Sequence, residues 1–211
     1  MCLVTTLRQQ DRRIGSWGQG ERERQVNEMR LRTIVFTLTA SIWLGSAQLA
    51  LHLSAQAPSL QANMLADWSN QKDRLMKLAS VMPAEQFGFK PTAAQRNYGE
   101  QILHIAEANV IQLGRLMPKV KAPSINMRAT SKAEVVKALE DSFDYGMAAL
   151  KEQTDQTLLQ PAATTRFDRF MGPSTRARAV WYVMGHTEDI YGQMVVYVRL
   201  NGITPPASQR P

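Results

Sequence analysis

Two histidines, His104 and His186, are the residues of this chain whose type and surroundings could do chemistry. They lie far apart in the chain, each in a stretch with helical periodicity, and each has a carboxylate within one helical turn. Two imidazoles with one carboxylate form a ligand set that suits iron, manganese or zinc. The same residue types also occur in helical proteins without a metal site, where histidines form hydrogen bonds and acidic residues form ion pairs on the surface. The residue types alone therefore leave both interpretations open.

Three carboxylates are candidates to complete such a site: Glu100, Glu107 and Asp189. Glu100 lies four residues before His104 and Glu107 three residues after it, so both share its side of a helix. A carboxylate in that position either binds the ion or orients the histidine. Asp189 lies three residues after His186, toward the edge of the helix face that is predicted to be buried.

Cysteine chemistry and nucleic-acid binding are not expected. The single cysteine, Cys2, precedes the predicted domain, which therefore has neither a disulfide nor a cysteine nucleophile. The net charge of +7 is unevenly spread, with seven arginines against four acids in residues 1–57. No basic cluster is interleaved with aromatic residues, so we expect no nucleic acid as a partner.

An export signal is predicted before the domain. Met29-Arg-Leu-Arg32 is a short basic segment, the 21 residues from 33 to 53 are mostly apolar, and Ala55-Gln56-Ala57 ends the run with small residues. This order predicts a signal peptide over residues 29–57, a translation start at Met29, and a periplasmic or secreted protein. Residues 1–28 are then disordered or a mis-annotated start.

The alternative to a cleaved signal is a membrane anchor, because 21 mostly apolar residues are about long enough to span a bilayer. Gly45, Ser46, Gln48 and His52 lower the apolarity of the second half and weaken that alternative. The protein contacts a membrane only if this segment stays uncleaved.

Residues 58–211 show four helical segments and no alternating strand pattern. The segments are predicted over 60–81, 92–117, 131–150 and 174–199. Capping boxes at Thr92–Gln95 and Ser131–Glu134 are predicted to begin the second and third segments. Four helices of this length, joined by loops, predict an all-α fold, an antiparallel four-helix bundle preceded by the N-terminal apolar helix.

The fourth helix is the most clearly bounded. Ser174 is predicted to cap its first N–H groups, and Gly202 with Pro205-Pro206 is predicted to end it. Its predicted buried face consists of Val183, His186, Thr187, Ile190, Gln193, Met194 and Tyr197. Large apolar residues are predicted to lie in the core, among them Trp68, Trp181, Met184 and Met194.

Two strings of this sequence resemble the DinB-like (DinB/YfiT) superfamily. HTEDIYGQMVVYVRLNGITPPAS, residues 186–208, is similar to the last helix and tail of that family, and PTAAQRNYGEQILHIAEAN, residues 91–109, is similar to its second helix. The strings cover about a third of the chain and lie in the family's order. The resemblance implies a four-helix bundle that often binds a metal.

In DinB-like proteins a metal is typically held by one histidine on helix two and a His-x-x-x-His pair on helix four. The resemblance places His104 and His186 at the first two ligand positions and Ile190, which has no donor atom, at the third. Zinc, nickel, manganese or iron is the implied cofactor. Tyr191 and Gln193 also match family positions, which makes them candidates for contact with a substrate.

Three functions are consistent with this resemblance. The first is an exported bundle that binds a small ligand, with an altered or degenerate divalent-metal site. The second is a metal-dependent thiol S-transferase or hydrolase, in which the ion lowers the pKa of a bound thiol or water. The missing third histidine, and export away from cytosolic thiols, weigh against this enzyme. The third is a non-catalytic bundle that forms a homodimer through its helices.

Overall fold

The computed structural model describes residues 58–166 and 168–209, together with residues 24, 26 and 28–30. Contacts divide the chain into one unit over Met1–Ala57 and a second over Pro58–Pro211. In the first unit the described residues are helical, and the predicted signal peptide lies outside them except for Met29 and Arg30. Among the described residues, no helix combines the length and the apolarity needed to cross a bilayer.

Four long helices form the second unit. They are α1 (Leu60–Val81), α2 (Tyr98–Gly114), α3 (Lys132–Lys151) and α6 (Arg176–Leu200). The short helices α4 (Asp155–Leu158) and α5 (Asp168–Met171) lie between α3 and α6, and single 3-10 turns occupy Ala84–Gln86 and Pro206–Ser208. No strand forms in residues 58–166 and 168–209, where the only bridge joins Pro161 to Thr175. The predicted all-α four-helix bundle is confirmed.

Hydrogen bonds between the helices give their directions. At the start of α1, Gln61 donates to the Leu150 carbonyl at the end of α3, so these two helices are antiparallel. The start of α2 likewise meets the end of α6, where Gln101 lies within 3.4 Å of the Tyr197 hydroxyl. Antiparallel packing therefore relates α1 to α3 and α2 to α6, and the second pair carries the two histidines.

The remaining neighbours run parallel. Asn109 in α2 donates to Ser142 in α3, and further on Gln153 lies within 3.5 Å of the Leu116 carbonyl. Along α1 and α6, Gln71 donates to the Met184 carbonyl, and Arg74 one turn later bonds to Glu188. Because α2 and α3 are parallel, residues 115–131 must run back along the bundle to join them.

A tryptophan and a glycine fix the contact between α1 and α3. The Trp68 ring is fully buried, packs 4.9 Å from the Phe143 ring, and donates through Nε1 to the Phe143 carbonyl at 2.9 Å. A Cβ atom at Gly146 would lie closer than 3.0 Å to three atoms of the indole ring. Glycine at this position therefore lets the two helices approach over the indole.

Two predicted helix caps are wrong, by five residues at α2 and by one residue at α6. The capping residue of α2 is Asn97, whose side chain accepts from the Glu100 N–H while Glu100 accepts from the Asn97 N–H. Thr92–Gln95 forms only a turn, closed by a Gln95 N–H bond to the Thr92 carbonyl at 3.2 Å. The sequence offers two capping boxes five residues apart, and local spacing does not choose between them.

At α6 the capping residue is Thr175, which accepts from the Arg178 N–H, rather than Ser174. The Ser174 hydroxyl instead accepts from buried Arg115 at 2.9 Å. Arg115 also binds Asp168 at 2.6 Å, so the end of α2 holds the segment that leads into α6. The predicted end is confirmed, since Gly202 adopts the left-handed conformation with φ 71°.

Most residues of α6 that were predicted to be buried are buried, and a few are exposed or half-buried. On α6, Val183, Thr187, Ile190, Met194 and Tyr197 are buried, whereas His186 and Gln193 are half-buried. Trp181 was expected in the core but is 77% exposed, and Met184 is only partly buried. Trp181 lies about 160° around α6 from Val183, far from the buried stripe, so residue type alone gave the wrong prediction for it.

Substituting Gly146 with alanine is expected to destabilise the protein by about 1–3 kcal/mol, because the new methyl group overlaps the buried Trp68 ring. Gly185→Ala is the matched control. It is also in a helix, a Cβ there meets nothing within 4 Å, and it should stabilise by up to about 1 kcal/mol. Urea unfolding of both variants measures the difference, and equal effects would contradict the packing described for Trp68.

Candidate functional site

The two predicted histidines meet across α2 and α6. His104 Nε2 and His186 Nε2 lie 3.1 Å apart, and the rings are nearly perpendicular, with centroids 5.0 Å apart and an angle of 86° between their planes. Both side chains are half-buried. Residues 82 positions apart in the chain thus present nitrogen atoms to each other at the distance of a direct hydrogen bond.

Both imidazoles are held in the neutral form. Burial, helped by the nearby charges of Arg96 and His186, lowers the pKa of His104 to about 4. Burial also lowers the pKa of His186, although the Asp189 carboxylate opposes that shift. At neutral pH each ring therefore keeps one nitrogen with a free lone pair, as a metal ligand must.

Polar side chains continue on either side of the pair along the contact of α2 and α6, which we call the polar seam. Its members are Gln101, His104 and Asn109 from α2 and His186, Thr187, Gln193 and Tyr197 from α6. Gln101 donates to Gln193 at 2.9 Å on one side of the histidines. On the other side Asn109 lies 3.5 Å from the Thr187 hydroxyl and donates to Ser142 at 3.1 Å.

The three candidate carboxylates are placed differently from one another. Glu100 accepts from the Asn97 N–H at 2.7 Å and lies 3.6 Å from Lys90, so it serves the cap of α2. Asp189 accepts from Gln193 at 3.1 Å. Glu107 is half-buried and has no hydrogen-bond partner among the described residues. Within the described ranges, no three histidine, cysteine or acidic side chains come together as a ready metal site.

Ile190 occupies the position of the third histidine, and its surroundings in the structure are also apolar. Ile190 is 3% exposed and belongs to the hydrophobic core cluster. It lies one turn after His186 on the same side of α6. The pair therefore has a hydrocarbon neighbour where a third imidazole would stand.

The candidate substrate contacts, Tyr191 and Gln193, have different neighbours. Arg74 of α1 lies over the Tyr191 ring, 4.5 Å from its centroid. Gln193 joins the polar seam through Gln101. They therefore do not form one surface around the histidines.

Sequence reasoning missed two residues near the pair. Tyr182 stacks on His186, with a centroid distance of 6.4 Å and 6° between the planes, and lies four residues before it. That helical spacing could have identified it. Arg96 affects both imidazoles from the loop before α2. It was missed because this loop was predicted to be helical.

The comparisons with known proteins agree on the family and the fold. The model of the DinB family matches residues 54–211. A DinB-like protein from Bacillus cereus ATCC 10987 has a similar structure, with a TM-score of 0.60 at 20% identity, over 70% of this chain and 96% of that one. A DinB-like protein from Bacillus subtilis gives a TM-score of 0.54 at 16% identity, over 70% and 99% of the two chains.

A conserved protein from Enterococcus faecalis is similar with a TM-score of 0.52 at 12% identity, covering 68% of this chain and 98% of that one. No match was found among curated proteins. At these identities the structural likeness concerns the fold alone.

The lowered pKa of His104 predicts an acid-sensitive fold. In the unfolded chain the imidazole takes up a proton near its ordinary pKa of 6.5, whereas in the fold it does so only near 4. The unfolded state therefore binds more protons in this window, and the free energy of unfolding falls as the pH drops from about 6.5 to about 4.

Urea unfolding in EDTA at a series of pH values measures this dependence, with a His104→Gln variant as the control. Between pH 6.5 and pH 4, the free energy of unfolding should fall less for the variant than for the parent protein. If the free energy of unfolding changed with pH in the same way for both proteins, His104 would not be held neutral by the fold.

Proposed function

Since this chain belongs to the DinB family, we propose that it binds a small ligand at a divalent metal ion held by His104 and His186. The observation that supports this function is the 3.1 Å separation of the two Nε2 atoms. Nitrogen atoms that each bind one zinc ion at about 2.0–2.1 Å, at angles between 90° and 110°, lie about 2.8–3.4 Å apart. The pair therefore fits as two ligands of one ion.

A direct hydrogen bond is the competing interpretation of the same distance. One neutral imidazole can donate through Nε2–H to the bare Nε2 of the other, and the separation is equally typical of that bond. In that arrangement the pair would be only another link of the polar seam. The two interpretations differ in what happens when metal is added.

The donor set favours binding over catalysis. Catalytic zinc sites generally use three protein ligands and keep one position for water or substrate. Here Ile190 contributes no donor, so an ion would be held less tightly and would keep more positions for water or for ligand atoms. When bound, such an ion would polarise an oxygen or sulfur atom placed on it. The positive charge of Arg96 beside both imidazoles favours an anionic ligand.

Export is the second part of the proposal. The basic segment at Met29–Arg32, the apolar run over residues 33–53 and the small residues before Pro58 support a signal peptide. A periplasmic or secreted bundle would take its metal and its ligand from outside the cytosol. Zinc, nickel, manganese and iron are the ions to compare.

Metal titration of the untagged full chain tests the histidine site. Calorimetry with zinc and with nickel should give about one ion per chain for the parent protein and none at this site for the His104→Ala, His186→Ala double variant. The double variant keeps Cys2 and His52, so any binding to these residues is subtracted. Ile190→His should bind more tightly by about tenfold or more, because it restores a third nitrogen one turn after His186.

Circular dichroism checks that each variant keeps its helices. Equal binding by the parent and the double variant would contradict the site. So would a failure of both the parent and Ile190→His to bind any ion.

A further inference from the structure

A groove between α1 and α6 is separate from the histidine pair. It has a volume of about 560 Å³, and neither His104 nor His186 lines it. Met64 on one side and Met184 with Trp181 on the other supply much of its apolar wall. Gly185 also lines the groove, and a Cβ atom there would meet nothing within 4 Å. The missing side chain at Gly185 leaves the groove open.

Gln71, one of the residues that line the groove, has a buried acceptor atom without a partner. Gln71 is only 4% exposed, and its amide nitrogen donates to the Met184 carbonyl at 3.0 Å and to Glu188 at 2.9 Å. Both partners are acceptors, so they fix which amide atom is nitrogen. The remaining atom, Oε1, is buried and has no hydrogen-bond partner in the described part of the chain. A buried acceptor in this state is unfavourable, and a donor that reached it would relieve the cost.

The exposed residues of the groove add an aromatic ring and a negative charge. Trp181 leaves most of its indole open to solvent. Arg74 and Glu188 neutralise each other through two bonds of 3.0 and 2.9 Å. Asp67 has no ion-pair partner within the described ranges. The lining therefore has a net charge of −1 beside an exposed indole, and this combination attracts cations.

We propose that the groove of α1 and α6 binds a small organic cation, an amine that carries an apolar group. The ammonium group donates to Gln71 Oε1 and lies near the Asp67 carboxylate, while the apolar part packs on Trp181 and the methionines. Because Oε1 is buried, a lining side chain must move before the ammonium group can reach it. Methionine has the rotational freedom for such a movement.

Three probes of similar shape test the chemistry on the full chain. They are 2-phenylethylamine, the neutral 2-phenylethanol and the anionic 3-phenylpropanoate, each titrated by calorimetry while the Trp181 indole signal is followed by nitrogen NMR. The amine should bind with a dissociation constant at or below about 1 mM, the alcohol about tenfold more weakly, and the anion most weakly.

A glycine pair supplies the blocking variant and its control. Gly185→Leu fills the groove and should weaken amine binding at least about tenfold. Gly192→Leu makes the same change on α6, where a Cβ also meets nothing within 4 Å, outside the groove. It should bind the amine as the parent does. Both replace a helical glycine with a better helix former, so loss of the fold is not expected.

Asp67→Asn should reduce the preference for the amine over the alcohol, and the His104→Ala, His186→Ala variant should leave amine binding unchanged. This last result separates the groove from the metal proposal. Equal binding by Gly185→Leu and the parent, equal binding of the three probes, or no binding of the amine at millimolar concentration would each overturn the inference.

Discussion

The register between α2 and α6 is the constraint on which the candidate site depends. Along this contact Gln101 meets Gln193, His104 meets His186 and Asn109 meets Thr187. Buried polar groups without partners cost free energy, so sliding one helix past the other by a turn would leave several of them unsatisfied. The 3.1 Å approach of the imidazoles follows from this register. The rest of the bundle keeps the two helices close enough to maintain it.

Contacts between α1 and α3 and at the end of α2 support this arrangement of α2 and α6. Trp68 lies over Gly146 and fixes α1 against α3, and Arg115 holds the segment before α6 through Asp168 and Ser174. Since α6 contacts both α1 and α2, one helix contributes to two different sites. His186 points its nitrogen toward α2, while Met184 and Trp181 line the groove with α1. The polar seam suits an ion, whereas the groove suits an apolar cation.

Much of the fold could be predicted from the sequence, because helical periodicity and caps are local properties. The extent of α1, the buried residues of α6 and the left-handed Gly202 follow from spacing and residue type. Helix directions do not, since they depend on which apolar faces pack together. Nor could spacing show that Glu100 serves the cap of α2, because a carboxylate three residues after Asn97 and four before His104 fits both roles.

Long-range proton–nitrogen NMR of the full chain, labelled with nitrogen-15 in histidine, tests most directly whether the imidazole pair is a metal site. Single His104→Gln and His186→Gln variants assign the signals, and spectra are recorded at neutral pH with and without one equivalent of zinc. A shared ion requires the Nε2 signals of both residues to move together and neither to carry a proton. Signals that stay unchanged, with one Nε2–H donating to the other Nε2, would show that the pair is only a hydrogen-bonded link in the seam.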